Sequence, residues 1–500
     1  MTRAIAVLGT ASDVGKSLIA TALGRLLREA GADVAPFKAQ NMSLQAGVTA
    51  EGGEMSRAQI LQAHACRVVP HVDMNPVLLK PVSQRDAEVI VLGHARGRSA
   101  AADYFTPENP LREVADQALG RLAARHQVLV LEGAGSPVEL NLMDRDFVNL
   151  RPARRVGAAL VLVADIDRGG VFAQVKGTLE LLPAADRARV LGVIVNRFRG
   201  DPKLFDEGIV LLERLAGCPV LALVPWLAHG LDEEDRPLSL PIDAPPVAGK
   251  LNVAVVLHPH VANTDDVTPL LAEPDVAVTW VTGPDGIFGR DLVILPGSKA
   301  SAADLQHHTA SGMTAALQAA ARADTWLLGL CGGYQMLGVR LRDPLGTDGP
   351  AGDWPGLGLL PVETIFSADK HLSATAFASA WPTAGHSLAG YEIHRGRTSG
   401  ARGLAGSLTA GTALVAGAGA EVGLAGDKVI GCYLHGLLGA DQWRRDFLNL
   451  VRRSRGLPER PASRADPLDL RIDRWSRHVA TAFRGDAWRR IRQACGLKES

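Results

Sequence analysis

Short apolar runs at residues 4–8, 34–37, 128–131, 159–164, 191–195 and 220–224 recur with helical stretches between them, and this alternation constrains the fold more than any other feature. Continuous runs of that length, bounded by Gly, Asp or Pro, suit strands buried on both faces, and a parallel sheet covered by helices is the packing that buries them. The pattern restarts at 253–257, 276–281, 292–295 and 326–330, with a later run at 429–434. Between the two series, residues 229–250 (HGLDEEDRPLSLPIDAPPVAGK) combine acids and prolines without a periodic apolar face, so a linker is expected there. The chain therefore reads as α/β with two doubly wound domains, residues 1–228 and 251–500. The tail beyond residue 466 places Leu468, Ile472, Trp475, Val479 and Phe483 at helical spacing with arginines between them, an amphipathic helix expected within the second domain.

Composition narrows the partners. With 53 Lys plus Arg against 53 Asp plus Glu, the net charge is zero and gives no global attraction for nucleic acid or a membrane surface. Five cysteines (Cys66, Cys218, Cys331, Cys432, Cys495) form no CxxC pair and leave an odd one over, which suits a reducing, cytoplasmic setting better than a disulfide framework or a zinc site. The first apolar run is too short for a signal sequence and the run at 156–163 is far below a membrane span, so no targeting or anchoring segment is expected.

Directly after the first strand stands GTASDVGKS, followed by a good helix-forming stretch. Strand, glycine loop and helix form the setting of a phosphate-binding loop. Main-chain N–H groups around Gly9, Thr10, Val14 and Gly15 would face phosphates, Lys16 would neutralise charge, and the Ser17 hydroxyl could ligate magnesium. The spacing is one residue longer than the standard Walker A. Lys38 ends the second strand, at the edge where doubly wound folds bind ligands. Glu132 ends a buried strand and opens a glycine turn, where an acid beside a phosphate loop can hold magnesium. ATP and Mg2+ are thus the expected cofactors. Partitioning ATPases carry a further lysine near the loop's start, where this chain has Ala11, which argues against a dimerisation switch.

In the second half, the strand at 326–330 runs into CGGYQMLG. A cysteine at the tip of a strand-to-helix turn exposes its sulfur at a helix N-terminus, where the dipole favours thiolate, and the following glycines permit close backbone approach. Cys331 is therefore the candidate nucleophile. His435, just after a late strand in VIGCYLHGLLG, is the candidate base, with His258, His260 and His394 as rivals. Gly332 and Gly297, the latter in LVILPGSK, are the candidate oxyanion donors.

Taken in order, GTASDVGKS, FKAQNMSLQAGVTAEGGEMSRAQ, MNPVLLKP, EGAGSPVELNLMDRDFVN, VADIDRGGVFA, VNRFRGD, LPGSK, CGGYQMLG, GYEIHRGRT and YLHGL resemble the cobyric acid synthase family along nearly the whole chain. The resemblance implies an N-terminal P-loop NTPase domain similar to dethiobiotin synthetase and a C-terminal class I glutamine amidotransferase-like domain. It implies that Lys16, Ser17, Lys38 and Glu132 serve ATP and magnesium, that Asn196 meets the nucleotide base, and that Cys331 with His435 hydrolyses glutamine. Many class I amidotransferases carry a glutamate two residues after the histidine; here that position is Leu437, so the third triad member is missing or comes from elsewhere.

The implied reaction is amidation of the b, d, e and g carboxylates of adenosylcobyrinic acid a,c-diamide through acyl phosphates, in adenosylcobalamin biosynthesis, with ammonia from glutamine sheltered from bulk solvent. Corrin contact is expected from loops between Asn41 and Asp86, from residues 141–146 and from the surroundings of His394. No nucleic acid or membrane partner is implied, and the chain would act alone or as a homo-oligomer. The sister reaction, cobyrinate a,c-diamide synthesis, and a nucleotide-dependent regulatory protein are the alternatives.

Overall fold

The computed structural model describes residues 2–81, 86–100, 109–231, 240–401, 411–461 and 468–497. It divides into two compact units. The first is Met1–Ser43, Thr49–Asp235 and Pro467–Ser500, and the second is Leu44–Val48 and Arg236–Asp466.

The first unit is built on six strands: β1 (Arg3–Gly9), β2 (Val34–Phe37), β3 (Val128–Glu132), β4 (Ala159–Asp165), β5 (Val190–Phe198) and β6 (Val220–Pro225). Their order across the sheet is β6-β5-β4-β1-β3-β2, and every pair is parallel. Because side chains alternate across a strand, β1 feeds two cores: Ala4, Ala6 and Leu8 enter one, and Ile5 and Val7 the other. Each buried Leu or Ile side chain contributes about 1.5–3 kcal/mol on leaving water. Both faces of the sheet are therefore covered.

The second unit repeats the scheme with β7 (Leu251–Val256), β8 (Val276–Val281), β9 (Leu292–Leu295), β10 (Trp326–Leu330), β11 (Thr412–Ala413), β12 (Gly423–Ala425) and β13 (Val429–Cys432). The order is β8-β7-β9-β10-β13-β12-β11, parallel except at β12 and β11. Here too alternate residues split, Val253 and Val255 to one core, Ala254 and Val256 to the other. A long antiparallel ribbon, Val362–Ala378 with Ser387–Gly400, carries the EIHRGRT string.

Two boundaries differ from the sequence-based expectation. The C-terminal helices Leu468–Thr481 and Ala487–Ala494 were expected in the second domain but belong to the first unit. Ile472, Trp475, Val479 and Ile491 share a core with Ile19 and Leu23, and Trp475 Nε1 donates to Leu18 O at 2.8 Å. An amphipathic period shows that a helix has an apolar face, not which sheet accepts it. Of the expected linker at 229–250, residues 232–239 lie outside the described residues, and its later part is tied to the second unit: Asp243 N donates to Trp280 O at 2.8 Å and Trp280 N to Pro241 O at 2.9 Å.

Candidate active sites

In the first unit the loop after β1 leads into the helix Lys16–Glu29 through Gly15, at φ 92°. A β-carbon there would stand 2.2 Å from Asn196 Nδ2, so only glycine fits both the backbone and the space. Gly9 is equally tight, with Ala11 O 2.9 Å from where its β-carbon would be, and Thr10 N donates to Val163 O at 2.9 Å. Lys16, almost wholly buried, folds back over the loop and donates to Ala11 O at 2.9 Å and Gly135 O at 3.1 Å.

Glu132 gathers the remaining candidates. Its Oε1 accepts from Ser17 Oγ at 2.7 Å and from Lys38 Nζ at 2.9 Å, while Oε2 accepts from Gln59 and Gln62. A buried carboxylate needs this compensation, since an unpaired one would cost several kcal/mol. Lys16, Ser17, Lys38 and Glu132 thus meet at one cavity of about 230 Å3, which Asn41, Met42 and Arg197 also line. Arg197 was not anticipated. It holds φ 60° and joins Asp13 and Asp165, with Nη1 3.0 Å from Asp165 Oδ2 and Nη2 3.1 Å from Asp13 Oδ1. Asn196 lies beneath the loop, its Nδ2 donating to Val14 O at 3.0 Å. Its amide nitrogen thus braces the phosphate loop.

A metal ion would need hard oxygen donors in this crevice. Ser17 Oγ and the Glu132 carboxylate supply them side by side at the cavity wall, a set that suits Mg2+.

In the second unit, β10 ends in Cys331 at φ 50° and ψ −104°, a strained turn immediately before the short helix Gly332–Leu337. Strain of this kind costs on the order of 1–3 kcal/mol and persists only where the surroundings impose it. The following glycines are those surroundings: a β-carbon on Gly333 would lie 2.0 Å from Leu295 O, and one on Gly332 would lie 2.7 Å from Ser298 N. That closeness brings the Gly297–Ser298 backbone against the turn. A β-carbon on Gly297 would meet Ala262 O at 2.9 Å and the His435 ring at 3.6 Å.

His435 is buried and within hydrogen-bond reach of Cys331. Its ring stacks on Tyr391, with centroids 4.9 Å apart, and its backbone pairs with that residue. Nδ1 stands 2.7 Å from Asp266 Oδ2, and Asp266 Oδ1 accepts from Gly436 N at 2.8 Å. Burial alone would push the imidazole down; Asp266 and Cys331 beside it outweigh burial and raise it to about 10. The set can take a proton from the thiol and hold the resulting imidazolium.

Asp266 was missed. It lies 169 residues before His435, in VANTDDVTP, and no spacing rule links an acid there to a histidine so far along the chain. The rival histidines are occupied otherwise. His258 Nδ1 is 2.7 Å from His308 Nε2, His260 is 2.8 Å from Asp304, and His394 donates from Nδ1 to Gly396 O at 2.7 Å and stacks on Tyr433.

A phosphate-loop unit and a unit bearing cysteine, histidine and aspartate in one chain define a nucleotide-binding glutamine amidotransferase. Family models agree: residues 5–237 match the CobQ/CobB/MinD/ParA nucleotide binding domain, and residues 252–443 match the CobB/CobQ-like glutamine amidotransferase domain. The chain is 45% identical over 483 residues to a cobyric acid synthase of Chlorobaculum tepidum, covering 95% of this chain and 96% of that one. It is 44% identical to that of Roseiflexus castenholzii, covering 96% of each. The chain belongs to the cobyric acid synthase family, glutamine-dependent amidating ligases of cobalamin biosynthesis. Among the described residues no helix is long and apolar enough to cross a membrane.

Proposed function

We propose that this chain converts the b, d, e and g carboxylates of adenosylcobyrinic acid a,c-diamide to amides, using one glutamine and one ATP for each. The observation that carries this reading is that both half-sites are built: Lys16, Ser17, Lys38 and Glu132 meet at one cavity, and Cys331, His435 and Asp266 meet at the other centre.

A carboxylate is a poor electrophile, and phosphorylation by ATP yields an acyl phosphate that ammonia can attack. The main chain of the Gly9–Lys16 loop binds the phosphates, Lys16 leaves its two carbonyl partners to neutralise their charge, and Asn196 keeps the loop in shape at the base end. Ser17 and Glu132 would hold magnesium, which would screen charge between nucleotide and carboxylate. Lys38, which lines the same cavity, is positioned to bind transferring phosphate oxygens. Loops in 41–86 and residues 141–146 are the proposed corrin contacts; residues 82–85 lie outside the described part.

In the other unit Cys331 Sγ attacks the glutamine amide carbon as its proton passes to His435. Gly332 and Gly297 donate to the developing oxyanion. The imidazolium then protonates the leaving ammonia, and His435 activates water to hydrolyse the thioester. Asp266 holds the ring in the tautomer with hydrogen on Nδ1 throughout.

Mass spectrometry of adenosylcobyrinic acid a,c-diamide incubated with the protein, ATP, Mg2+ and glutamine tests the reading. Successive carboxylate-to-amide steps at the four side chains are expected. Amidation of cobyrinic acid instead would assign the sister reaction, and no amidation of either would leave a regulatory role.

A further inference from the structure

The segment Leu44–Val48 belongs to the second unit, although the stretches on both sides of it, ending at Ser43 and resuming at Thr49, belong to the first. Within the second unit it is bonded at two successive residues to the turn that precedes Asp266. Ala46 N donates to Asn263 Oδ1 at 3.2 Å, and Thr264 N donates to Gln45 Oε1 at 3.1 Å. Asn263 is buried and holds φ 53°, a left-handed conformation that a non-glycine residue keeps only where its contacts impose it.

The bond from Ala46 fixes which way the Asn263 amide points. Its oxygen accepts from a main-chain N–H, so its nitrogen is at the other end, and Nδ2 stands 3.3 Å from His435 Nε2. On the far side of the ring Nδ1 faces the Asp266 carboxylate and carries hydrogen. An amide N–H aimed at Nε2 needs a lone pair there, and that lone pair is the one His435 must offer to the Cys331 thiol. Asp266 favours the protonated ring, whereas Asn263 in this position opposes protonation. The two demands are met together only if Asn263 withdraws as the proton arrives.

We propose that Leu44–Val48 is a coupling latch: through Gln45 and Ala46 it holds Asn263 on His435 Nε2 and keeps glutamine hydrolysis slow until nucleotide and acceptor carboxylate occupy the first unit. The covalent path is short, since Asn41 and Met42 line the nucleotide cavity and only Ser43 separates Met42 from Leu44. On release, the Cys331 Sγ–H bond breaks, its proton forms the Nε2–H bond of His435, and the thiolate pair adds to the glutamine amide carbon. Collapse of the adduct breaks the C–N bond, and ammonia leaves with the Nε2 proton. The latch rests on the function proposed above and adds its regulation.

Glutamate release by the full chain, measured with and without ATP, Mg2+ and adenosylcobyrinic acid a,c-diamide, tests it in the wild type, Gln45→Ala and Asn263→Ala. A wild-type stimulation within about 5–150-fold is expected, the span of coupling energies of 1–3 kcal/mol. In Gln45→Ala the unstimulated rate should rise and the stimulation should fall toward unity. Asn263→Ala should show the same loss of stimulation with a raised unstimulated rate. Unchanged stimulation in Gln45→Ala, or a lower unstimulated rate, overturns the latch while wild-type ammonia-driven amidation upholds the function. No ammonia-driven amidation by the wild type overturns the function and the latch with it.

Discussion

His435 Nδ1 stands 2.7 Å from Asp266 Oδ2, in a pair buried at the amidotransferase centre and formed by residues 169 positions apart. An aspartate from the 3-10 helix Thr264–Ala272 therefore stands beside the ring where a residue two positions after the histidine offers no carboxylate, since that residue is Leu437. Asp266→Asn should leave the fold intact and lower glutaminase kcat by about 10²–10⁴-fold, as loss of an orienting carboxylate does in other triads.

The same pair sets a pH dependence. His435 is raised to about 10 because Asp266 and Cys331 together outweigh burial, so a proton taken from the Cys331 thiol is held on the ring through neutral pH and is lost as pH climbs through that value. Because the folded value lies above the ordinary 6.5, this contribution to stability is complete below pH 6.5 and disappears as pH rises toward 10. The alkaline limb of the glutaminase profile should fall near pH 10 in the wild type and move toward neutrality in Asp266→Asn. An unmoved limb would assign it to another group.

In the first unit Glu132 is the hub for Ser17 and Lys38. Glu132→Gln preserves shape but removes the charge that balances Lys38 and would hold the cation. Ammonia-driven amidation should fall at least about 100-fold, with unstimulated glutaminase retained. Equal losses in both activities would show a general structural role instead.

Much of this was legible in the sequence, because the informative signals are local. The strand-loop-helix around Gly15 and the strand-to-helix turn around Cys331 each announce their geometry within about nine residues. Asn263, Asp266 and Arg197 escaped detection because their roles depend on tertiary proximity: an acid in a short 3-10 helix, an amide and an arginine carry no periodic or spacing signature. Trp475 shows the same limit for packing, its helix being foreseen and its partner sheet not.

That packing has a consequence for stability. Trp475 is buried against Leu18, in the helix that follows the phosphate loop. Trp475→Ala should cost about 3–5 kcal/mol, measured by chemical denaturation, and ammonia-driven amidation should fail before glutaminase does as temperature rises. Loss of glutaminase first would place the tail's contribution in the second unit.

Asp348 offers an opposite case. Burial pushes its carboxyl up to about 7, outweighing a hydrogen bond from Ala302 N at 2.9 Å. A raised carboxylate makes the folded state lose stability as pH rises from about 4 to 7. Asp348→Asn should therefore gain roughly 1–3 kcal/mol at pH 8 and little at pH 4; a melting temperature unchanged at pH 8 would refute this.

The central claim is that one unit frees ammonia and the other fixes it. The most direct measurement is product mass spectrometry with Cys331→Ala, supplied with either glutamine or ammonia in the presence of ATP, Mg2+ and adenosylcobyrinic acid a,c-diamide. The account predicts no amidation with glutamine and a full set of carboxylate-to-amide steps with ammonia. Amidation from glutamine by this variant, or none from ammonia while the wild type succeeds with both, would contradict it.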